Sequence, residues 1–285
     1  MDKLKITAWG LILITNFLFP DLKGQDTHHW ETIVFSFNSW HYKPGAADIP
    51  PEWKDPGYDL SNWQKGRGGI GYGDGDDETI IDETLSLFMR LDFDIVDSTI
   101  ITMGILNADY DDGFVAYLNG VEIARSNIGI PGITPAWDET TPENHEAQMY
   151  QGGVPESFQL SAGMLDTLLV NGANTLAIQV HNRGINSSDL SSNFFFSVGI
   201  SVPGLQYFYP PEWFYTPFES SNLPLMMIET NGQTISKGER IIAEMGLMDY
   251  SMQGKRNSLS DTFHIYNGRI SIEHRGSSSL MFPKK

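Results

Sequence analysis

Residues 109–120 have the sequence DYDDGFVAYLNG, and this stretch decides how the chain folds. Phe114, Ala116 and Leu118 fall at every second position, which is the period of a β-strand with one face in a core. Asn119-Gly120 follows at once, and this dipeptide is a strong signal for a two-residue hairpin turn. The stretch therefore predicts an antiparallel hairpin that begins just after a group of aspartates.

The same period-two alternation recurs along the chain and predicts an all-β protein. One short helix is expected, which Asn171-Gly172 ends. Most strands have one apolar and one more polar face, as in antiparallel sheets packed on one side. The predicted fold class is an antiparallel β-sandwich of jelly-roll type, followed by a small, incomplete C-terminal β segment. The expected elements are strands over residues 33–38, 87–95, 101–105, 114–118, 121–125, 176–180, 194–202, 225–229, 241–248 and 269–274, and the helix over 162–169.

Composition excludes several classes of function. The 285 residues include 18 Lys and Arg against 36 Asp and Glu, so the formal charge is 18 − 36 = −18. Such an acid excess repels phosphates and argues against a nucleic-acid partner. The chain has no cysteine, which rules out disulfides, thiolate metal sites and a cysteine nucleophile. A hydrophobic content of 40% is enough for a packed core.

The N-terminus has the pattern of a secretory signal. Lys3 and Lys5 precede an apolar run over residues 6–19, which Pro20 closes. That run is too short to span a bilayer, for which about 20 residues are needed. We expect residues 1–24 to be a signal peptide, no membrane span after its removal, and a protein that is secreted or held at the cell envelope. A buried N-terminal helix is the alternative.

Turn-forming segments divide the rest of the chain. The β-sandwich is expected over residues 25–203, and a segment rich in proline and aromatic residues over 204–221 is interpreted as a linker or a packing arm. The remaining residues, 222–285, are few for an independent core.

Two acidic stretches are candidates for a metal site. Asp74 and Asp76 lie in a glycine-rich loop, and Asp109, Asp111 and Asp112 immediately precede a strand. Ca²⁺ takes six to eight oxygen ligands, which carboxylates can supply, so a structural Ca²⁺ is the one cofactor suggested. The alternative is that these aspartates accept backbone N–H bonds and stabilise turns.

Aromatic and polar side chains provide candidate ligand contacts. Trp53, Trp63, Tyr72 and Trp137 are of the type that stacks on sugar rings, although filling the core is the alternative for each. His181 and Asn182 end a strand and are either ligand contacts or hydrogen-bonded structural residues. The glycine-rich residues 66–73 lack a following Gly-Lys-Ser/Thr and a helix, so we interpret them as a flexible turn rather than a phosphate loop.

Several of these motifs together resemble a galactose-binding-like jelly roll. The resemblance covers residues 30–202. It implies a noncatalytic β-sandwich that binds carbohydrate and in some members holds a structural Ca²⁺. The motifs that carry it are Trp53, residues 57–63, 69–74, 88–90, 109–120 and 174–182.

A second resemblance covers residues 222–285. Residues 223–232 and 272–285 look like the N-terminal segment of the CotH kinase family, atypical secreted protein kinases named after a spore coat protein. Arg275, Ser277 and Ser278 are placed to contact phosphate. The acidic catalytic and metal-binding positions of that family have no counterpart here, so we expect no catalytic residues in this truncated segment.

The sequence favours a secreted noncatalytic module that binds carbohydrate or another cell-envelope component. It would be the N-terminal accessory part of a CotH kinase-like protein. One alternative is a fragment of a secreted atypical kinase whose catalytic half is missing. The other is a structural spacer domain.

Overall fold

A computed structural model describes residues 27–216, 220–230, 233, 235–258 and 261–273. The predicted signal peptide, residues 1–24, and the proposed phosphate contacts Arg275, Ser277 and Ser278 lie outside the described residues. The chain divides into two compact units at Phe214 and Tyr215. This division falls inside the segment that we interpreted as a linker.

In the described residues of the first unit, the regular secondary structure is mostly strand. The α-helix found there, α1 (Ala162–Leu168), is the predicted helix. Short 3₁₀ turns lie at Pro51–Lys54, Ser98–Ile100 and Met149–Gln151. The strands are β1 (His29–Val34), β2 (Ser39–Pro44), β3 (Gln64–Arg67), β4 (Ile70–Gly71), β5 (Thr79–Ile80), β6 (Ser86–Ile95), β7 (Ile101–Tyr110), β8 (Gly113–Leu118), β9 (Val121–Ser126), β10 (Glu156–Leu160), β11 (Gly172–His181) and β12 (Ser192–Ile200).

Two antiparallel sheets form a jelly-roll sandwich. The four-stranded sheet has the order β1-β12-β7-β10, and the six-stranded sheet has the order β3-β2-β6-β11-β8-β9. From β6 onwards, each connection carries the chain from one sheet to the other, except for the β8-β9 hairpin, which stays in the six-stranded sheet. Together with β1, this strand order is the double Greek key of a jelly roll. The predicted all-β sandwich is therefore confirmed. Among the strands that the structure describes, the short pair of β4 and β5 is parallel.

The main core lies between the two sheets. Phe114 of the six-stranded sheet contacts Phe194 and Phe158 of the four-stranded sheet, with ring centroids 5.2 Å apart in each pair. Phe93 meets Phe196 edge to face at 5.9 Å. Every second residue of β6, starting at Leu87, belongs to this core. The alternation that predicted the strand thus identifies the core-facing side correctly.

Part of the outer face of the six-stranded sheet is also buried, contrary to the expectation of a polar face. Trp53, Trp63, Phe88 and Tyr117 form a second apolar cluster on that part of the face. Arg90 has no exposed surface, and its Nη1 donates to the carbonyl of Trp53 at 2.7 Å, which holds the covering turn in place. The loop after β2 therefore folds back over this part of the sheet, whereas the same face is exposed towards the end of β6.

Some predicted strand limits were wrong. The segment 33–38 is not one strand, because the chain turns after β1, where the backbone N–H of Phe35 donates to Oδ1 of Asn38 at 2.7 Å. Strands β2, β3 and β10 were missed, since each is a short segment with at most two large apolar residues in alternation. Asn267-Gly268, a dipeptide typical of turns, lies within a strand of the second unit.

The outer face of the four-stranded sheet is covered by residues 204–214. The backbone N–H of Thr32 donates to the carbonyl of Phe208 at 2.9 Å. The rings of Trp30 and Phe214 lie 5.4 Å apart, and those of Phe195 and Trp213 lie 4.9 Å apart. This segment packs against the first unit as an integral part of it.

The strands described in the second unit are β13 (Ser220–Ser221), β14 (Leu225–Glu229), β15 (Ile241–Met248), β16 (Asn257–Ser258) and β17 (Tyr266–Ile272), with a 3₁₀ turn at Ser251–Gln253. They form a three-stranded antiparallel sheet of order β14-β15-β17 and a two-stranded pair, β13-β16. Strands β14 and β15 have the predicted limits.

None of the helices in the described part of the chain has the length and hydropathy that a membrane span requires.

Candidate functional site

Three aspartates lie at the end of β7 and in the turn that leads to β8, and two of them accept backbone hydrogen bonds. Asp109 accepts from the N–H groups of Gln148 at 2.7 Å and Met149 at 3.1 Å. Asp112 accepts from the N–H groups of His145 and Arg183, both at 2.8 Å. These two carboxylates hold the long loop before β10 and the loop after β11 against the turn. Asp109 and Asp112 therefore accept backbone N–H bonds and stabilise turns, as the alternative interpretation of these aspartates predicts.

Asp111 lies between these anchors and is different. Only 3% of its surface is exposed, and its carboxylate has no hydrogen-bond partner within the described residues. Glu146 and Asp189 lie beside it, and each of the three offers a carboxylate oxygen within 4.8 Å of the others. We call Asp111, Glu146 and Asp189 the pocket triad. Asp112 brings Glu146 close by holding the adjacent His145, and the N–H of Asp111 donates to the carbonyl of Ser191 at 3.2 Å, which fixes the chain beside Asp189.

The electrostatics of the pocket triad favour a bound cation. Burial, followed by the neighbouring charges of Asp112, Asp189 and Glu146, raises the pKa of Asp111 to about 8. A carboxylate in such a place is costly to ionise unless a positive charge is close. A divalent cation would supply that charge, and carboxylate oxygens are the ligands that Ca²⁺ prefers.

A second acidic group lies in the loop between β4 and β5. Asp74, Asp76 and Asp77 also have carboxylate oxygens within 4.8 Å of one another, and we call them the loop triad. Both oxygens of Asp76 and of Asp77 are closed to solvent and have no hydrogen-bond partner. Burial first, and then the neighbouring carboxylates, raise the pKa of Asp76 to about 7 and that of Asp77 to about 8. Orphaned buried oxygens of this kind fit a cation enclosed by protein.

The two triads lie near one another. Tyr72 and Leu190 exchange backbone hydrogen bonds of 3.0 Å and 2.9 Å, which places the loop triad beside the segment that carries Asp189. Asp74 is close enough for its charge to contribute to the raised pKa of Asp111. All these acids therefore gather at one end of the sandwich.

The glycine-rich segment before the loop triad is not a flexible turn, as we had interpreted it. Residues 68–72 are buried and include β4. A Cβ atom on Gly71 would lie 1.8 Å from the carbonyl oxygen of Leu190 and 2.6 Å from Oδ2 of Asp77. Glycine is required here because neighbouring backbone and the Asp77 carboxylate occupy the space of a side chain.

The pocket triad opens into a cavity of about 510 Å³. Arg183, Asn144 and Asn186 line it together with the triad, and most of its lining residues have polar side chains. The guanidinium of Arg183 donates to Oδ1 of Asn144 at 2.9 Å. A second cavity, of about 450 Å³ at the edge between the sheets, is lined mainly by apolar side chains and does not include either triad.

Most aromatic and polar residues predicted to contact a ligand are packing residues. Trp53, Trp63 and Tyr72 are 1%, 8% and 6% exposed and present no open ring face to a sugar. His181 and Asn182 have no exposed surface. Burial lowers the pKa of His181 to about 4, and its Nδ1 lies 2.7 Å from the carbonyl oxygen of Glu139. Trp137, at 36% exposure, is the predicted aromatic contact that remains accessible.

The sequence found part of the acidic site. Asp74, Asp76 and Asp111 belong to the two triads, whereas Asp109 and Asp112 position loops. Asp77 was missed although it adjoins Asp76, and its place in an acidic run was the available signal. Glu146 and Asp189 were missed because they are distant from Asp111 in the chain, and only the folded loops bring them together.

Comparisons with known proteins establish no family for the chain. No family model matches it, and no curated protein does. The resemblance of residues 222–285 to CotH kinases therefore receives no support and stays a prediction.

Several solved structures align with the chain at low similarity. A β-glycosidase from Bacteroides vulgatus is 11% identical with a TM-score of 0.37, the alignment covering 81% of this chain and 24% of that one. A β-glucuronidase from Bacteroides uniformis is 13% identical with a TM-score of 0.38, covering 76% and 22%. An uncultured Clostridium sp. β-glucuronidase is 11% identical with a TM-score of 0.39, covering 88% and 40%. The chain thus spans between 22% and 40% of the length of these three proteins.

Proposed function

We propose that the first unit is a noncatalytic carbohydrate-binding module of a secreted or cell-envelope protein. Its binding site is the cavity beside the pocket triad, and Ca²⁺ bound by the two triads holds the surrounding loops. The observation that carries the proposal is the buried, unpartnered carboxylate of Asp111 at the wall of a polar cavity. Polar groups that converge on a cavity of this size are typical of ligand sites.

The position of the cavity supports this assignment. It is formed by loops at one end of a rigid sandwich, where ligand-binding residues are commonly found. Arg183, Asn144 and Asn186 present hydrogen-bond donors and acceptors that match sugar hydroxyls. Two of the loops are fixed by Asp112, so the site is organised before a ligand arrives.

Binding to immobilised polysaccharides tests the proposal. The full chain without residues 1–24 would be assayed on neutral and acidic polysaccharides by affinity electrophoresis in Ca²⁺. We expect retardation by at least one polysaccharide and a loss of about tenfold or more in affinity for Arg183→Ala, because the guanidinium hydrogen bonds are removed.

Lys65→Ala is the matched control, since Lys65 is an exposed cation on β3, away from the cavity lining. It should bind as the unmodified chain does. No retardation by any polysaccharide, or equal binding by the Arg183→Ala and unmodified chains, would refute the proposed site.

A further inference from the structure

We infer that the cation held by the pocket triad binds the saccharide directly, through two adjacent hydroxyl groups of a neutral sugar ring. This inference rests on the proposed function and adds the mode of recognition and the class of sugar. It begins from Asp111, a residue that is 3% exposed, whose carboxylate forms no hydrogen bond within the described residues and which lines the cavity.

The pocket triad leaves coordination positions open towards the cavity. Ca²⁺ takes six to eight oxygens, and three carboxylates that each give one oxygen supply half of that number or less. All three triad residues line the cavity, where Glu146 is exposed and Asp189 is half-buried. The cavity side of the cation is therefore where water or a bound molecule can supply further ligands.

The loop triad does not have this property. The carboxylate oxygens of Asp76 and Asp77 are closed to solvent, and neither residue lines the cavity. A cation there would be enclosed by the loop between β4 and β5 and would contribute to stability. The two triads therefore have different roles, and only the pocket triad is placed to contact a ligand.

The charge of the cavity selects an uncharged sugar. Asp111, Asp112, Glu146 and Asp189 line it, with Arg183 as the cation among its lining residues. Their formal charges sum to −4 + 1 = −3, and a bound Ca²⁺ brings the total to −1. The remaining negative charge would repel a carboxylated sugar. The vicinal hydroxyls of a neutral sugar can replace two water ligands of the cation without adding charge.

The hydroxyl pair would be fixed by the cation, and the rest of the ring by the cavity wall. Asn186, Ser187 and Ser188 lie in the same loop as Asp189 and line the cavity. Their side chains can donate to and accept from further hydroxyls. Recognition would then depend on hydroxyl geometry more than on aromatic stacking, which agrees with the burial of Trp53 and Trp63.

The test uses the full chain without residues 1–24, with mannan, galactan and xylan as neutral probes and polygalacturonic acid as the charged probe. We expect a neutral polysaccharide to bind in Ca²⁺, to be released by EDTA and to rebind when Ca²⁺ is restored. Asp111→Asn and Glu146→Gln should each lower the affinity about tenfold or more, because each removes a charged ligand of the cation. Asp138→Asn, at an exposed aspartate of the loop before β10, should have no effect.

Direct coordination is separated from a structural effect by terbium luminescence. Tb³⁺ would replace Ca²⁺ in an Asp77→Asn chain, in which the loop triad is weakened, and its lifetimes in H₂O and D₂O would count the bound waters. We expect about two waters to leave when the neutral polysaccharide binds. An unchanged water count overturns the inference.

The remaining outcomes distinguish the two proposals. If polysaccharide binding is undiminished in EDTA but is lost in Arg183→Ala, cation-mediated binding is overturned, whereas the proposed binding module is supported. Stronger binding of polygalacturonic acid than of the neutral probes overturns the predicted sugar class alone. Binding of Ca²⁺ without binding of any polysaccharide overturns both.

Discussion

At the scale of single residues, neighbouring aspartates in one turn have different tasks because their surroundings differ. Asp109 and Asp112 each accept two backbone N–H bonds, so their charges are satisfied by the loops that they hold. Asp111 receives none and is buried beside other carboxylates. The missing partner of Asp111 is the basis of the proposed cation site, whereas the carboxylates of Asp109 and Asp112 already have partners.

The anchoring role of Asp112 can be measured. Asp112→Asn replaces one carboxylate oxygen with an NH₂ group, which cannot accept from a backbone N–H. We expect the free energy of unfolding to fall by about 2 kcal/mol, because a backbone donor of His145 or Arg183 loses its partner. Urea denaturation followed by circular dichroism would measure the change.

Asp138→Asn makes the same chemical change at an exposed position of the same loop. It should alter the stability by less than about 0.5 kcal/mol. Equal stabilities for the two variants would show that the hydrogen bonds of Asp112 contribute nothing.

At the scale of elements, glycine contributes to stability in β4 and reduces it in α1. Gly71 of β4 touches both the Leu190 carbonyl and the Asp77 carboxylate, whereas a Cβ on Gly163 of α1 would meet no atom within 4 Å. In the strand the absent side chain permits close approach of two segments. In the helix it only adds freedom to the unfolded chain.

Alanine substitution separates these two cases. Gly71→Ala should lower the free energy of unfolding by about 2–3 kcal/mol, because backbone atoms must shift to accept the methyl group. Gly163→Ala should raise it by about 0.5–1 kcal/mol, since alanine is the better helix former. Urea denaturation of both variants provides the comparison, and a stable Gly71→Ala protein would contradict the tight packing beside Asp77.

At the scale of the whole molecule, the first unit extends beyond the last strand of the sandwich. We had placed its end at residue 203, but residues 206–214 bond to β1 and cover its outer face. The side-chain amide of Gln206 donates to the carbonyl of Trp30 at 2.7 Å. Trp30 and Phe195 are 6% and 5% exposed beneath this segment.

Two fragments test the extent of the unit. Residues 27–203 should be less stable than residues 27–214 by about 3 kcal/mol or more, because Trp30 and Phe195 lose their cover. The midpoints of urea unfolding would show the difference. Leu205→Ala in the longer fragment is the control, since Leu205 is 76% exposed. Equal midpoints for the two fragments would show that the first unit ends at residue 203.

The fold class, several strands and the hairpin at Asn119-Gly120 could be predicted from the sequence alone. These are local properties, since side chains alternate every two residues in a strand and two positive φ angles suit Asn-Gly in a hairpin. The sequence also identified Asp111 as part of a candidate cation site.

The grouping of the acids in the pocket triad and the burial of the tryptophans follow from the tertiary structure alone. Glu146 and Asp189 meet Asp111 because the anchors at Asp109 and Asp112 draw distant loops to one turn. Trp53 and Trp63 are buried because the loop after β2 folds over the six-stranded sheet and is held by Arg90. Both outcomes depend on contacts between residues far apart in the chain, which a local pattern of residue types does not encode.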